Sequence, residues 1–233
     1  MSETLVGYQV EEGVATLRLN DGKANALSYD MIAALSAALT RAEQEARVVV
    51  LMGLPGKFCA GFDLKVMQRS LADAVDLLKE GGALYVQMLR CSIPIISACT
   101  GHAVAGGALL LAYSDHSVGV EGPFKIGLNE VHIGLPLPML ALDIARHKLD
   151  PRRLNEATMF GQLYQPAEAQ QVGYLSEVCA PEDFESTVQA RAVALTKVHP
   201  MAFRETKKRL WGDLATRVES MIEADLSAIG SPK

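Results

Sequence analysis

The chain has 233 residues, of which 49% are hydrophobic and 6% aromatic, and its formal net charge is −5. This length and aliphatic composition are typical of one large α/β domain with a buried core, and the acidic balance disfavours nucleic acid or an acidic membrane surface as a partner. The N-terminus has no basic and apolar leader, and no apolar run approaches about 18 residues. We therefore expect a cytoplasmic protein that does not insert into membranes.

The first half of the chain predicts alternating strands and helices. Two β-type runs, residues 5–10 and 14–19, flank a Glu-Glu-Gly turn and indicate a hairpin. Ser28 can cap a following helix, in which apolar residues repeat at helical intervals. The further predictions up to residue 120 are a buried strand at 48–51, a long helix over 71–90, a strand at 94–99, a turn at Gly101, a helix after Gly106 and a strand at 116–120.

The second half of the chain predicts mainly helices. Beyond Leu137 the strand pattern gives way to successive helical stretches, interrupted at Gly161 and Pro166. A short strand is expected at 176–179, and helices near 183–198 and 201–229. We predict a core of residues 1–190 followed by a C-terminal helical region of residues 191–233.

Four cysteines are present, and their spacing argues against disulfides and metal binding. Cys59, Cys91, Cys99 and Cys179 form no CxxC pair and have no histidine at metal-ligand intervals. We predict free thiols and no metal. Cys59 lies in a loop next to glycine and has two interpretations, a nucleophile or a small semi-apolar side chain, of which the second is favoured.

Nucleotide cofactors are not indicated either. The segment GLPGKF at 53–58 has too few residues between its glycines for a phosphate loop, and no serine or threonine follows its lysine. A GxGxxG fingerprint is also absent, so neither ATP nor NAD or FAD is expected.

Two short segments carry the chemistry. Gly106 and Gly107 open a predicted helix with Leu109 on its first turn, and Glu130 is a lone carboxylate beyond the next apolar run. Unpaired N–H groups and the helix dipole favour an anion at such a helix start, although paired glycines also occur where a helix packs closely on a strand. Glu130 is either a general acid and base or a surface glutamate near a turn.

Three motifs in this order resemble the crotonase, or enoyl-CoA hydratase/isomerase, superfamily. They read FCAGFDL at 58–64, GHAVAGG at 101–107 and IGLNE at 126–130, and the similarity extends over residues 5–229. The resemblance implies an α/β fold, a ββα spiral whose C-terminal helical region assembles trimers, often paired into hexamers. It also implies an acyl-CoA thioester substrate, so that coenzyme A is part of the substrate and no separate cofactor is needed.

The resemblance assigns roles to individual positions. The backbone N–H groups of Phe62 and Gly106 would stabilise negative charge on the thioester oxygen. Asp63 is expected to pin its loop through hydrogen bonds to the backbone. Lys23 would approach a phosphate of coenzyme A, or remain a solvated side chain. The full set of substrate-binding positions implied is Lys23, Ala24, Ala60, Phe62, Leu64, Gly106 and Leu109.

The number of acids at the site separates the activities of the superfamily. Its hydratases carry one glutamate at the position of Leu109 and a second at the position of Glu130, whereas this chain keeps the second alone. Glu121 matches no acid of the superfamily. The pattern is closest to mitochondrial-type 3,2-enoyl-CoA isomerases, which implies isomerisation of 3-enoyl-CoA to trans-2-enoyl-CoA in fatty acid metabolism. Two alternatives stay open: a hydratase or other crotonase reaction with an unforeseen second group, and a non-catalytic acyl-CoA binding protein.

Overall fold

The computed structural model describes residues 4–229, with the backbone alone described beyond residue 222. Within this range the strands are β1 (Val6–Glu11), β2 (Val14–Leu19), β3 (Val48–Met52), β4 (Gly56–Cys59), β5 (Ile95–Cys99), β6 (Gly101–Val104), β7 (His116–Val120), β8 (Ile126–Gly127) and β9 (Glu177–Cys179). The helices are α1 (Tyr29–Glu45), α2 (Leu64–Met67), α3 (Leu71–Arg90), α4 (Gly106–Tyr113), α5 (Met139–Lys148), α6 (Leu154–Thr158), α7 (Pro166–Val172), α8 (Phe184–Thr196) and α9 (Pro200–Ile229). Short 3₁₀ turns occur at Glu130–Ile133 and Pro181–Asp183.

Two sheets form the framework. The larger sheet has the order β1-β2-β3-β5-β7-β9, and all its pairs are parallel except the β1–β2 hairpin. The smaller sheet has the order β4-β6-β8 and is parallel throughout. Three times in succession the chain leaves a strand of the larger sheet and enters one of the smaller sheet. This repeated step is the predicted ββα spiral, and the predicted α/β fold class is confirmed.

Local sequence signals account for the larger sheet and its helices. β3 and β5 are buried along their whole length, as expected for parallel strands covered on both faces. Ser28 caps α1 as predicted, because its side chain accepts a hydrogen bond from Met31 N at 3.2 Å. Gly81 and Gly82 do not interrupt α3, and both are buried against neighbouring elements.

The smaller sheet was not predicted from the sequence, and the turn expected at Gly101 was wrong. Gly56 and Gly101 are paired in β4 and β6, and a Cβ atom at Gly101 would overlap the backbone of Gly56. The glycines that suggested turns are therefore needed for the close approach of two strands. Such an approach is not visible in local sequence, because the two strands are far apart in the chain.

The C-terminal helix packs on the core. α9 lies against α3 and α5, and the buried Lys207 ammonium contacts the Asp115 carboxylate at 2.6 Å. Arg90 and Glu219 form a second, exposed pair between α3 and α9 at 2.7 Å. Within residues 4–229, none of the helices is both long enough and apolar enough to cross a bilayer. The domain division at residue 190 and the trimer stay predictions.

Candidate active site

One cavity of about 240 Å³ lies between the smaller sheet, α3, α4 and the segment that leads into α5. Its walls are mostly hydrocarbon, and among the described residues Glu130 supplies the one carboxylate. The lining residues are Ala60, Phe62, Leu64, Met67, Leu78, Val104, Ala105, Leu109, Asn129, Glu130, Ile133, Leu135, Pro136, Pro138 and Leu140.

Glu130 is held in the cavity wall by the turn after β8. Its Oε2 atom is buried and has no hydrogen-bond partner among the described residues. Desolvation raises the pKa of Glu130 to about 7, and the backbone N–H groups of Glu130 and Asn129 oppose that rise. The carboxyl group is therefore ready both to accept and to donate a proton near neutral pH.

The loop that follows β4 presents a free backbone donor. Leu27 N donates to Gly61 O at 2.8 Å, and Asp63 N donates to Leu27 O at 3.1 Å, so the residues on both sides of Phe62 are fixed. Asp63 Oδ1 accepts from Lys65 N at 2.8 Å and caps α2, as expected for a residue that pins the loop. Within the described part of the chain, the N–H of Phe62 itself has no acceptor.

A second free donor stands at the start of α4. Ala105 O accepts from Ala108 N at 2.9 Å and from Leu109 N at 3.1 Å, which begins the helix. Gly106 N–H is the first of the helix and has no acceptor among residues 4–229. A Cβ atom at Gly61 would lie 3.2 Å from Gly106 N, so the loop and the helix start touch. Two unpaired N–H groups thus come together beside the cavity.

Ala105, at the N-cap of α4, has a strained backbone. Its φ is +51° and its ψ is −124°, a conformation that glycine adopts without strain. Ala105 N donates to Gly127 O at 2.9 Å, so β8 helps to hold this conformation. Strain in a residue that lines a cavity is a common mark of a functional site.

Ala105→Gly is expected to stabilise the protein by about 1 kcal/mol, because relief of strain outweighs the larger chain entropy of glycine. Equilibrium urea unfolding measures the change. Ala108→Gly in the same helix is the control, since Ala108 has an ordinary helical backbone and should lose at least about 1 kcal/mol. Equal destabilisation of both variants would contradict the assignment of strain to Ala105.

The predicted substrate-binding residues fall into two groups. Phe62, Leu64 and Leu109 line the cavity of Glu130, whereas Gly106 does not line it and follows the lining residue Ala105 in the chain. The remaining three, Lys23, Ala24 and Ala60, line a second, more open cavity of about 620 Å³ together with Gly22, Lys57 and His102. Ala60 belongs to the walls of both cavities, so the two lie next to each other.

Several wall residues were not singled out from the sequence. Met67 and Leu78 come from α2 and α3, and Leu140 comes from α5. Their apolar character was visible, but nothing local showed which face would meet Glu130. Cys59 lies in the core with its thiol pKa raised to about 12 by burial, which agrees with a small packed side chain and not with a nucleophile.

The chain alternates between two sheets as a spiral, and an apolar cavity lies beside the first turn of α4. These features define the crotonase class of fold. The family model for enoyl-CoA hydratase/isomerase matches residues 9–232. The chain is 28% identical over 227 residues to human mitochondrial enoyl-CoA delta isomerase 1, which covers 95% of this chain and 75% of the human protein. It is 27% identical over 224 residues to a probable enoyl-CoA hydratase of Rhodobacter capsulatus, covering 95% of this chain and 87% of that one.

Solved structures agree with the sequence matches. An enoyl-CoA hydratase/isomerase family protein from Pseudomonas syringae has a TM-score of 0.94 and 40% identity, covering 97% of this chain and 98% of that chain. The protein described here belongs to the enoyl-CoA hydratase/isomerase family of the crotonase superfamily.

Proposed function

We propose that this protein isomerises 3-enoyl-CoA thioesters to trans-2-enoyl-CoA, with Glu130 as the one acid and base. The observation that carries the proposal is a buried carboxyl oxygen that has no partner among the described residues and lies in an apolar cavity, with Leu109 where a second acid would stand in a hydratase. Leu109 is 2% exposed, so its side chain occupies the space and excludes water from it.

The first chemical step is removal of a proton from C2. The Glu130 carboxylate accepts this proton while the C2–H electron pair delocalises toward the thioester carbonyl and forms a dienolate. The N–H groups of Phe62 and Gly106 would donate to the oxygen on which negative charge develops, and they need no reorganisation to do so. The position of the Gly106 N–H at the start of α4 adds the favourable field of the helix dipole.

The second step returns the proton at C4. Neutral Glu130 donates it, the double bond moves from C3–C4 to C2–C3, and the carboxylate is regenerated. No water is consumed, so a single group with a pKa of about 7 is sufficient for both transfers. The apolar wall supports this role because it is also what raises the pKa.

The second cavity suits the nucleotide end of the substrate. Lys23 and Lys57 bring two positive charges to its wall, and Lys23 is exposed. An ammonium group on a flexible stem meets a phosphate as a point charge. We infer that the coenzyme A moiety lies there and that its pantetheine passes Ala60 to reach Glu130. We also propose a homotrimer or hexamer, on the family resemblance alone.

The decisive experiment is a product assay on a panel of substrates. Purified protein should convert short, medium or long 3-enoyl-CoA to 2-enoyl-CoA, with products separated by chromatography. Efficient hydration of crotonyl-CoA without isomerisation would favour the hydratase instead, an alternative supported by the Rhodobacter relative. Tight binding of acyl-CoA with neither reaction would indicate a carrier.

The isomerase kcat/KM should depend on pH in a definite direction. The pKa of Glu130 is raised to about 7, so the carboxylate base is depleted below this value and kcat/KM should fall as pH falls below about 7. Above pH 7 the profile should level off. Initial rates between about pH 5 and pH 9 measure it, and a profile without a transition in this range would contradict the assignment of Glu130 as base.

A further inference from the structure

Tyr85 of α3 contacts both residues that supply the proposed N–H donors. It is completely buried, and its hydroxyl donates to Gly106 O at 2.8 Å. Its ring meets the Phe62 ring edge to face, with 6.4 Å between centroids and 82° between planes. Burial raises the pKa of Tyr85 well above its ordinary value, so the hydroxyl stays protonated and remains a donor.

The hydroxyl bond restrains a residue that would otherwise be permissive. Gly106 has no side chain to limit its backbone angles. The peptide group before Gly106 is fixed because Ala105 O accepts hydrogen bonds from two N–H groups of the helix. The peptide group after Gly106 is fixed because Gly106 O accepts the hydrogen bond from the Tyr85 hydroxyl. A Cβ atom at Gly106 would lie 3.0 Å from Tyr85 Oη and 3.1 Å from Phe62 Cε2. Tyr85 and Phe62 are therefore packed directly against the Gly106 backbone.

The Phe62 ring is seated on the same face of α3. A Cβ atom at Gly81 would overlap Cε1 of that ring, so the absence of a side chain at Gly81 makes room for it. Gly81 and Tyr85 are four residues apart and lie one above the other on the helix surface. One face of α3 thus packs against both residues that supply the proposed donors, Phe62 in the loop after β4 and Gly106 at the start of α4.

We propose that Tyr85 is a positioning residue that sets the relative placement of the Phe62 and Gly106 N–H groups through its hydroxyl bond and ring contact. This inference rests on the proposed isomerase function. Tyr85 acts on backbone geometry and is not part of the cavity wall. Its removal should accordingly affect stabilisation of the developing charge and leave substrate binding nearly unchanged.

Tyr85→Phe is expected to lower kcat for isomerisation roughly tenfold, while KM stays within about twofold. The loss is smaller than for deletion of a donor, because both N–H groups remain and are only less well placed. Steady-state kinetics measure the split. The bound thioester gives a second readout: the infrared carbonyl band of octanoyl-CoA should shift less on binding to the variant than on binding to the wild type.

Tyr113→Phe is the matched control. Tyr113 is 1% exposed, stacks on Tyr85 at 4.9 Å, and donates its hydroxyl to Leu140 O at 2.8 Å. The Tyr113→Phe variant loses an equivalent buried hydrogen bond, so its Tm should fall as much as that of Tyr85→Phe. Its kcat and carbonyl shift should change far less. If the two variants lose kcat equally, the positioning role of Tyr85 is wrong.

Gly81→Ala provides a test that keeps the tyrosine. The added methyl displaces the Phe62 ring, so the same fall in kcat and the same reduced carbonyl shift are expected. Wild-type kcat and carbonyl shift in a folded Gly81→Ala variant would contradict the shared support by α3. A wild-type protein with no isomerase activity and no carbonyl shift would instead reject the proposed function, which separates the two failures.

Discussion

Glu130→Gln should lower the isomerase kcat by about 10²–10⁴ while the affinity for acyl-CoA changes little. Glutamine fills the same space but neither accepts nor returns the proton, so the chemical step is lost and binding is kept. The rate is measured by quantifying the 2-enoyl-CoA product at fixed times after addition of a 3-enoyl-CoA. The affinity is measured by calorimetric titration with octanoyl-CoA. Retained activity in the variant would eliminate the one-carboxylate mechanism.

Glu121→Gln is the control for this experiment. Glu121 follows β7, is exposed, and does not line the Glu130 cavity. The Glu121→Gln substitution also replaces a carboxyl group by an amide, so a general electrostatic effect should appear in both variants. We expect wild-type kcat for Glu121→Gln, and a comparable loss in both would show that the effect at Glu130 is not specific to the cavity.

The same glutamine variant also reports on stability. The folded pKa of Glu130 is about 7 against an ordinary 4.5, so the native state binds more protons than the unfolded state between these values. Wild-type stability should therefore fall as pH rises through this window, by roughly 3 kcal/mol. Glu130→Gln should lack that fall and be more stable than the wild type at pH 8. Parallel curves from urea unfolding would show that the carboxylate carries no such desolvation penalty.

Gly107→Ala should destabilise the protein by about 3 kcal/mol and lower kcat as well. A Cβ atom at this second residue of α4 would overlap Cys59 O and lie 2.8 Å from Cys59 C. Backbone atoms cannot move aside by rotation of a side chain, so α4 must shift away from the end of β4 and the loop that follows it. That shift separates the N–H groups of Phe62 and Gly106. Urea unfolding and steady-state kinetics measure the two effects.

Gly212→Ala is the matched substitution in α9. Apart from its own helix backbone and chain neighbours, no atom of the described residues lies within 4 Å of a Cβ placed at Gly212, which is inside a helix. Alanine should therefore stabilise the protein by roughly 0.5–1 kcal/mol without altering kcat. If the Gly107→Ala protein is as stable as the wild type, the close contact described between α4 and the end of β4 is wrong.

The hydrocarbon around Glu130 has a further consequence for the choice between reactions. Addition of water needs a group that positions the nucleophile, and the candidate location holds the buried Leu109 side chain. The same wall raises the pKa of Glu130, which would favour removal of a C2 proton if Glu130 acts as the proposed base. One apolar surface thus accounts both for the lack of a second carboxylate among the described lining residues and for the raised pKa of Glu130.

The chain alone determined the strands of the larger sheet, the helices other than α2, and the residue types at positions 109 and 130. The β1–β2 hairpin, the capped α1 and the buried β3 follow from periodicity and turn residues, which act over a few positions. The sequence also gives Glu130 and Leu109 directly, and together with the resemblance these two residues predict a proton transfer.

The tertiary structure alone decided the smaller sheet, the strained Ala105 and the surroundings of Glu130. Each depends on segments distant in the chain that approach closely, as when β4 lies on β6 or Tyr85 reaches Gly106 O. A carboxyl pKa near 7 likewise arises from walls contributed by α3, α4 and α5 together. Burial and close packing are properties of the assembled fold, and no local pattern encodes which faces will meet.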